Sequence, residues 1–408
     1  MTTSLSRNRD YRLLWVGQAL SEAGASASTI ALPLLVLVLT GSATASGLVL
    51  GASAAAQLVV GLPAGALVDR WNRRTVMLVC EAVQAVTIGF LVVGLWWNLV
   101  GVQHVVAAVI VLGVCRALSE PAEDAALPTI VPEHQLSDAV AMNAARGYLG
   151  QLSGTAIGGL LFGLGRWLPF AVEAISHVAT FVSLLFVRIP ARERRRAQAS
   201  RFHLEVGEGL RWVWKQPVVR VVAICAVGLN LFFQAFYLLM IALAHQQGVS
   251  PGHIGIMGAM LGGGGILGAL AAPRLHRALR PHTSIVGVFW VITGLIPLAL
   301  VVDAGIPTGV LFAAAAFLAP TANTTITTYQ LLLTPDELRG RLSSVMGVAL
   351  GIAAIAGPAV GGALVELLTP TQAILTCTGG VALLTIFATV NPTLRNLGVH
   401  RDPEPRSQ

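Results

Sequence analysis

Three charged residues lie inside long apolar stretches of the 408-residue chain, where charge is costly. Glu22 lies nine residues into a stretch that begins at Leu13, and Arg116 and Glu120 lie one helical turn apart in another. A charge at the centre of a bilayer costs at least ~2.5 kcal/mol, so such residues are functional candidates. A carboxylate that meets an arginine in only one conformation binds and releases a proton as the two separate and meet. The pattern predicts a proton-coupling group: Glu22 first, Glu120 second.

Other interpretations of these charges stay open at this point. Glu22 is equally compatible with a polar group that caps a helix or binds a substrate without moving a proton. A small shift in the end of the apolar stretch would place Glu120, Glu123 and Asp124 in water. Arg146 and Glu81, which lie nearer the ends of their stretches, are expected to form a structural pair.

The elements that position these residues are predicted to be membrane-spanning helices. The chain is 55% apolar and only 11% charged, with a mean hydropathy of +0.75. Soluble domains are about 25% charged, so the composition excludes a soluble enzyme, a disordered chain and a disulfide scaffold. A span needs about 20 apolar residues. The prediction is an all-α polytopic membrane protein with twelve spans, at 13–39, 46–68, 76–96, 103–126, 139–163, 168–187, 218–243, 253–273, 283–302, 307–332, 343–367 and 371–390.

The basic residues are distributed asymmetrically between the loops. The formal net charge is +7, and nearly all of the 26 Lys and Arg residues lie near the termini or in every second loop. The opposite loops carry only Arg166. This distribution predicts a multi-pass protein of the cytoplasmic membrane with both termini in the cytoplasm. It also argues against nucleic acid as the partner of the positive charge.

The chain repeats itself at an offset of 203 residues. Gly65-Ala-Leu matches Gly268-Ala-Leu, Pro132 matches Pro335, and three glycines after Pro132 match three after Pro335. The chain is therefore predicted to be two parallel, pseudo-symmetric six-helix bundles, at 1–187 and 218–392, with a cytoplasmic tail at 393–408. The basic cytoplasmic linker at 188–217 is predicted to contain an amphipathic helix, or else to be a solvated segment; the apolar residues at helical spacing are Phe202, Val206, Leu210 and Val213.

Two parallel repeats are typical of transporters that work by alternating access. No catalytic or metal-ligating cluster is visible, since the nine histidines are expected at span ends or in loops. A nucleotide-binding G-x-x-x-x-G-K-[ST] loop is also missing from the sequence. We therefore expect no enzyme, no metal and no cofactor, with a proton gradient as the energy source.

The loop after the second span carries a family motif. It reads Gly65-Ala-Leu-Val-Asp69-Arg70-Trp-Asn72-Arg73-Arg74. It resembles the signature of the major facilitator superfamily, with Asn72 in place of its second glycine, where we expect a left-handed turn. The resemblance implies the twelve-helix major facilitator fold. It also implies a cytoplasmic gate formed by Gly65, Asp69 and the three arginines; the alternative is that these charges only set topology.

A second motif concerns helix packing. Small residues at four-residue spacing let helices approach backbone to backbone, and they occur at Gly154 and Gly158 and at Gly357 and Gly361. Pro358, next to Gly357, is expected to add a kink. Residues 8–15, with Glu120-Pro-Ala and the segment 127–132, resemble the macrolide-efflux-type branch, the third drug/H⁺ antiporter group. That branch exports antibiotics, siderophores and other amphiphiles.

Aromatic and neutral polar residues of the spans suggest a substrate cavity. They are Trp15, Asn230, Phe233, Gln234, Tyr237, Asn323 and Tyr329. Asn230, Gln234 and Tyr237 are predicted to share one helical face. Interhelical hydrogen bonds are the alternative role for any one of them.

The leading hypothesis is a proton-coupled exporter of drug-like, antibiotic or siderophore-type small molecules. The expected partners are this cargo, protons and membrane lipids, with a monomer as the transport unit. One alternative is a facilitator or importer of a metabolite or lysolipid. Another is a non-transporting membrane sensor or binding protein with the same fold.

Overall fold

The computed structural model describes residues 5–68, 70–189, 211–278, 281–334 and 336–395. Twelve helices of 15 residues or more make up nearly all of these ranges. In chain order they are α1 Arg9–Thr40, α2 Ala43–Val68, α3 Arg73–Trp96, α4 Val102–Ile130, α5 Leu136–Leu164, α6 Leu168–Phe186, α7 Pro217–Gln246, α8 Pro251–Ala278, α9 Pro281–Leu295, α10 Ile306–Leu333, α11 Asp336–Leu367 and α12 Pro370–Val390. A 3₁₀ helix, Ile296–Leu300, extends α9, and a four-residue helix, α13 Pro392–Arg395, follows α12.

Eleven of these helices are both long and apolar enough to cross a membrane. The remaining one, α5, has 29 residues, but it is less apolar because glycines and neutral polar residues such as Tyr148 and Gln151 occupy much of it. At 1.5 Å per residue it is long enough to span. It packs against α1 and α8, so much of its surface faces protein. The all-α polytopic fold is confirmed.

Side-chain caps define where several helices begin. Asn8 accepts a hydrogen bond from the backbone N–H of Tyr11, and Asn72 accepts one from Thr75, so each caps the first turn of a helix. The expected left-handed turn at Asn72 is wrong: its φ of −72° and ψ of 115° are extended. An extended N-cap needs a short polar acceptor rather than a glycine, which accounts for asparagine here.

The packing glycines bring helices together within each half of the chain. A Cβ added at Gly154 or Gly158 of α5 would meet the backbone of α1 at Ala23 O (2.4 Å) or Ala27 O (2.3 Å). The equivalent residues of α11, Gly357 and Gly361, lie in the same way against the backbone of α7. The internal repeat thus appears as two matching contacts, α1 with α5 and α7 with α11.

The two halves of the chain meet along α2 with α11 and along α5 with α8. A Cβ on Gly47 would lie 2.2 Å from Pro358 O, and one on Gly159 would lie 2.5 Å from the Cα of Gly255. We call the end of the molecule that carries Arg70, Arg73 and Arg74 the basic end, and the other end the opposite end. These contacts lie in the parts of the helices nearer the opposite end.

Most of the predicted linker helix lies outside the described residues. Phe202, Val206 and Leu210 belong to the segment 190–210, and the tail beyond Arg395 is likewise outside. Val213 is buried against Val219 of α7 and Leu342 of α11.

Gly158→Ala tests the contact between α1 and α5. The new methyl group would lie 2.3 Å from Ala27 O, so the helices must separate, and overpacking of this kind costs about 1–3 kcal/mol. We expect a clearly lower midpoint of thermal unfolding, measured by fluorescence on the purified protein. Gly89→Ala in α3 is the matched control, because nothing lies within 4 Å of an added Cβ there. Equal midpoints for the two variants would contradict the close packing.

Candidate functional site

A cavity of about 530 Å³ lies between the two halves. It is lined by α1, α2, α3, α4, α5 and α6 of the first half and by α7 and α11 of the second. The glycine contacts between α2 and α11 run from Gly47 only as far as Leu58, ten residues before α2 ends. An added Cβ on Gly65 would have nothing within 4 Å, and Arg70 is exposed. The halves are therefore closed at the opposite end and apart at the basic end.

The wall of this cavity holds the three charges singled out from the sequence. Arg116 Nε lies 2.7 Å from Glu120 Oε1, and Arg116 Nη2 lies 3.6 Å from Glu22 Oε1. The side chains of Glu22, Arg116 and Glu120 are 31%, 47% and 53% exposed, so water reaches all of them. Two carboxylates share one guanidinium, and movement of Arg116 changes the charge balance at both. We call these residues the Arg116 cluster.

A second ion pair joins α4 to α5 next to the cavity. Arg146 Nη1 lies 2.7 Å from Glu123 Oε1, and the two side chains are only 13% and 12% exposed. The expected pairing of Arg146 with Glu81 is therefore wrong. Glu123 is buried instead of lying in water, because α4 continues to Ile130 and Arg146 of α5 pairs with it there.

Glu81 belongs to a buried group that the sequence analysis missed. His177 Nδ1 lies 2.7 Å from Glu81 Oε2, and His177 Nε2 lies 3.9 Å from Glu173 Oε1. The expectation that all histidines lie at span ends or in loops is wrong, since His177 lies in the middle of α6. The available signal was the spacing of Glu173 and His177, four residues apart on one face of an apolar span.

Two further cavities lie along α5, and one of them shares Glu22 and Arg116 with the first. One of about 440 Å³ is lined by Glu22 and Arg116, and another of about 270 Å³ by Asn230, Phe233 and Asn323. Tyr148 and Gln151 line both of them, although the sequence analysis did not single them out. Together the cavities connect a charged wall to an apolar one through these two polar side chains.

The remaining cavity candidates lie in different places. Gln234 and Tyr237 line the 530 Å³ cavity, so the set predicted to share one face with Asn230 is divided between two cavities. Tyr237 also packs against Phe312, with ring centroids 5.5 Å apart. Trp15 lies apart from these three cavities; its indole N–H donates to Met142 O across α1 and α5. The side chain of Tyr329 is outside the described part of the structure.

The arginines of the predicted gate bind carbonyl groups of their own half. Arg73 donates to Ala125 O near the end of α4, at 2.7 Å. Arg74 donates to Leu184 O and Leu185 O at the end of α6. Both bind the negative C-terminal ends of helices, where cations are favourable. Asp69 lies outside the described residues.

A carboxylate joins the two halves at the opposite end. Glu366 of α11 accepts hydrogen bonds from Ser42 Oγ (2.6 Å), Thr44 N (3.0 Å) and Thr44 Oγ1 (2.7 Å). Thr44 lies in the first turn of α2, where a negative charge is favourable. Glu366 therefore holds the two halves together at the closed end.

Comparison with known proteins identifies the family. Residues 2–406 match the family model described as transmembrane secretion effector, within the major facilitator superfamily. The chain belongs to this family, as the motif around Gly65 had indicated. It is 28% identical over 400 residues to the multidrug efflux pump Tap of Mycolicibacterium fortuitum, covering 93% of this chain and 95% of Tap. It is 26% identical over 366 residues to the enterobactin exporter EntS of Escherichia coli O1:K1 / APEC, covering 85% of this chain and 84% of EntS.

Solved structures agree on the fold. A variant of the nucleoside transporter NupG superposes with a TM-score of 0.78 at 12% identity, covering 93% of this chain and 99% of that one. A bacterial homologue of the iron transporter ferroportin, in its inward-facing state, gives a TM-score of 0.68 at 16% identity, covering 95% and 99%. The protein is thus a multi-pass membrane protein of a transporter family, and the twelve-helix major facilitator fold is confirmed.

Glu366→Ala tests the closed end. The variant loses three hydrogen bonds between the halves. We expect the closed arrangement of this end to be destabilised by about 1 kcal/mol relative to the open one, a roughly fivefold shift of the equilibrium toward opening. Spin labels at Leu99→Cys and Val301→Cys, exposed positions at the opposite end of the two halves, report this as a larger population of long distances. Asp303→Asn, an exposed carboxylate at the same end, is the control. Unchanged distances in the Glu366 variant would contradict the fastening role.

Proposed function

We propose that the protein is a proton-coupled exporter of drug-like, antibiotic or siderophore-type small molecules, working by alternating access. The observation that carries this proposal is the Arg116 cluster in the wall of a cavity that is open at one end only. Exchangeable charge at that position is what proton coupling requires, because a proton bound to a carboxylate changes the pairing of Arg116.

Glu22 and Arg116 suggest how the transport cycle couples proton movement to cargo movement. In the conformation described here, Glu22 Oε1 lies 3.6 Å from Arg116 Nη2, and we assign this pairing to the state after proton release. Cargo enters the cavity while Glu22 and Arg116 are paired. After the cavity opens to the other side, cargo leaves, Glu22 takes up a proton and its ion pair with Arg116 is lost, which allows the empty cavity to return. The return to the present state delivers that proton to the basic end.

The cavity walls support an amphiphilic cargo. The charged wall at Glu22 and Arg116 can bind a polar group, and the apolar wall at Phe233 can bind rings or chains. Tyr148 and Gln151 supply neutral hydrogen bonds between them. Tap is named for multidrug efflux and EntS for enterobactin export, and both names agree with cargo of this kind.

The positive-inside rule supports the direction of transport. With the basic end in the cytoplasm, both termini are cytoplasmic and the cavity described here opens to the cytoplasm. Asp69, Arg70, Arg73 and Arg74 then gate that side, closing it when the halves approach. The proton gradient of the cytoplasmic membrane is the energy source, no cofactor is used, and one chain in its lipid surroundings is a complete transport unit.

Glu22→Gln tests the coupling. Gln keeps the size of the side chain but cannot exchange a proton, so we expect gradient-driven export to fall at least tenfold while binding of the dye is retained. The measurement is ethidium efflux from cells that express each variant, with and without a protonophore. Glu133→Gln is the control, because Glu133 is an exposed glutamate in the loop before α5.

The result of the efflux experiment distinguishes an antiporter from a facilitator and from a sensor. Wild-type efflux that stops with the protonophore, together with a defective Glu22 variant, supports the antiporter. Unchanged efflux in Glu22→Gln would contradict the role of Glu22. Dye movement that ignores the protonophore would indicate a facilitator, and dye binding without movement would indicate a sensor.

A further inference from the structure

A buried cluster of titratable side chains lies beside the Arg116 cluster and is not used by the cycle proposed above. Its members are Glu81 of α3 and Glu173 and His177 of α6, each about 3% exposed. All three lie along the wall of the 530 Å³ cavity. Buried ionisable groups are costly and need partners. These three therefore have to be considered as one unit, which we call the His177 cluster.

The hydrogen bonds of the imidazole leave one position open. His177 Nδ1 lies 2.7 Å from Glu81 Oε2 and 3.3 Å from Ser21 Oγ, so Nδ1–H donates to the Glu81 carboxylate. His177 Nε2 is buried and has no hydrogen-bond partner. The carboxylate oxygen that faces Nε2 is Glu173 Oε1, which lies 3.9 Å away, beyond hydrogen-bond distance. The other carboxylate oxygen of Glu173 accepts a hydrogen bond from Ser28.

The open position suits a proton. With Nδ1–H directed at Glu81, Nε2 presents a lone pair toward Glu173 Oε1, and two acceptors face each other. A proton on either atom converts this repulsive pair into a donor and an acceptor, and a shift of about 1 Å brings them into hydrogen-bond distance. Among the described residues, no group of three His, Cys, Asp or Glu side chains is arranged to hold a metal ion. A proton is the cation that fits.

The charges around the His177 cluster favour the uptake and release of a proton there. Cys80 on α3 and Cys115 on α4 interact electrostatically with members of the cluster. The titratable groups that line the same cavity are Glu22 on α1, Arg116, Glu120, Glu123 and Asp124 on α4, and Arg146 on α5. Two ionised carboxylates with a neutral imidazole carry two negative charges in a buried site, and each proton removes one. Arg116 also interacts electrostatically with Glu173. Its position therefore links the charge of the His177 cluster to that of the Arg116 cluster.

We infer that Glu173 and His177, with Glu81 holding the imidazole, form a second proton-binding site in which one proton is shared between Nε2 and the Glu173 carboxyl group. Its role in transport rests on the proposed proton-coupled export: it takes up a proton when Arg116 moves away from Glu173 and releases it when Arg116 returns. The binding itself requires no cargo.

Infrared difference spectroscopy on the full-length protein in phosphatidylcholine vesicles tests this site. The buffer is switched between about pH 8 and about pH 5, the window in which histidine titrates. Among the signals of the wild type we expect one protonation step, seen in carboxylic-acid and imidazolium bands, that is lost in Glu173→Gln and equally in His177→Gln. Because one proton is shared, the double variant should lose no more than either single variant.

Two further variants make the result specific. Glu173→Asp keeps a carboxyl group and should keep the protonation step, which shows that the loss in Glu173→Gln is not caused by damage to the fold. Glu133→Gln, at an exposed glutamate, should leave the protonation step unchanged. Spectra of Glu173→Gln and His177→Gln that superpose on the wild type would overturn the inference, and so would losses that add in the double variant. Efflux that does not depend on the proton gradient would contradict the proposed proton-coupled export, but it would not change the infrared result on proton binding.

Discussion

Close contact between helix backbones at glycines determines how the two halves of this protein are joined. At Gly47 and Gly159 the helices of one half touch the backbone of the other, at distances that no side chain can occupy. Such contacts are short-range, so they hold only where the helices actually meet. They lie toward the opposite end, and the hydrogen bonds of Glu366 add to them there. The cavity, its single opening and the access to Arg116 all follow from this arrangement.

The polar groups of the first half are concentrated around Arg116. The Arg116 cluster is open to the cavity, whereas Glu81, His177 and Glu173 lie buried behind the same wall. From Leu210 to Val302 the second half contains no acidic residue, and its share of the wall is neutral or aromatic, as at Gln234 and Tyr237. In the wall of the 530 Å³ cavity, charge is thus confined to the first half, and the second half can move relative to it without separating the ion pairs of that wall.

The sequence predicted the fold well because membrane spans and repeats are long-range patterns. Each predicted span corresponds to a helix, and the glycines of α5 and α11 at the 203-residue offset make equivalent contacts. The meeting of Glu22 with Arg116 was also predicted, since both lie at similar depth. Three-dimensional pairings were harder. His177 is a single histidine in an apolar span, and its partner Glu81 is 96 residues away, so no local spacing indicates the contact. Arg146 was paired with the wrong glutamate for the same reason.

Some positions were misjudged because the sequence does not show how a helix is rotated. Asn230 and Gln234 are one turn apart, yet they line different cavities, since α7 lies between the two cavities. Trp15 belongs to the packing of α1 against α5. Tyr148 and Gln151 were overlooked because neutral residues in a weakly apolar helix resemble ordinary packing residues, and only the structure places them between the charged and apolar walls.

Counter-movement of protons and cargo by the wild-type protein tests the central claim most directly. Proteoliposomes that contain the pH indicator pyranine are given an ethidium gradient and no pH gradient. The account predicts that ethidium moving in one direction drives protons in the other, so that the internal pH changes only when both the protein and the dye gradient are present. Ethidium transport by the protein with no change in internal pH would contradict it.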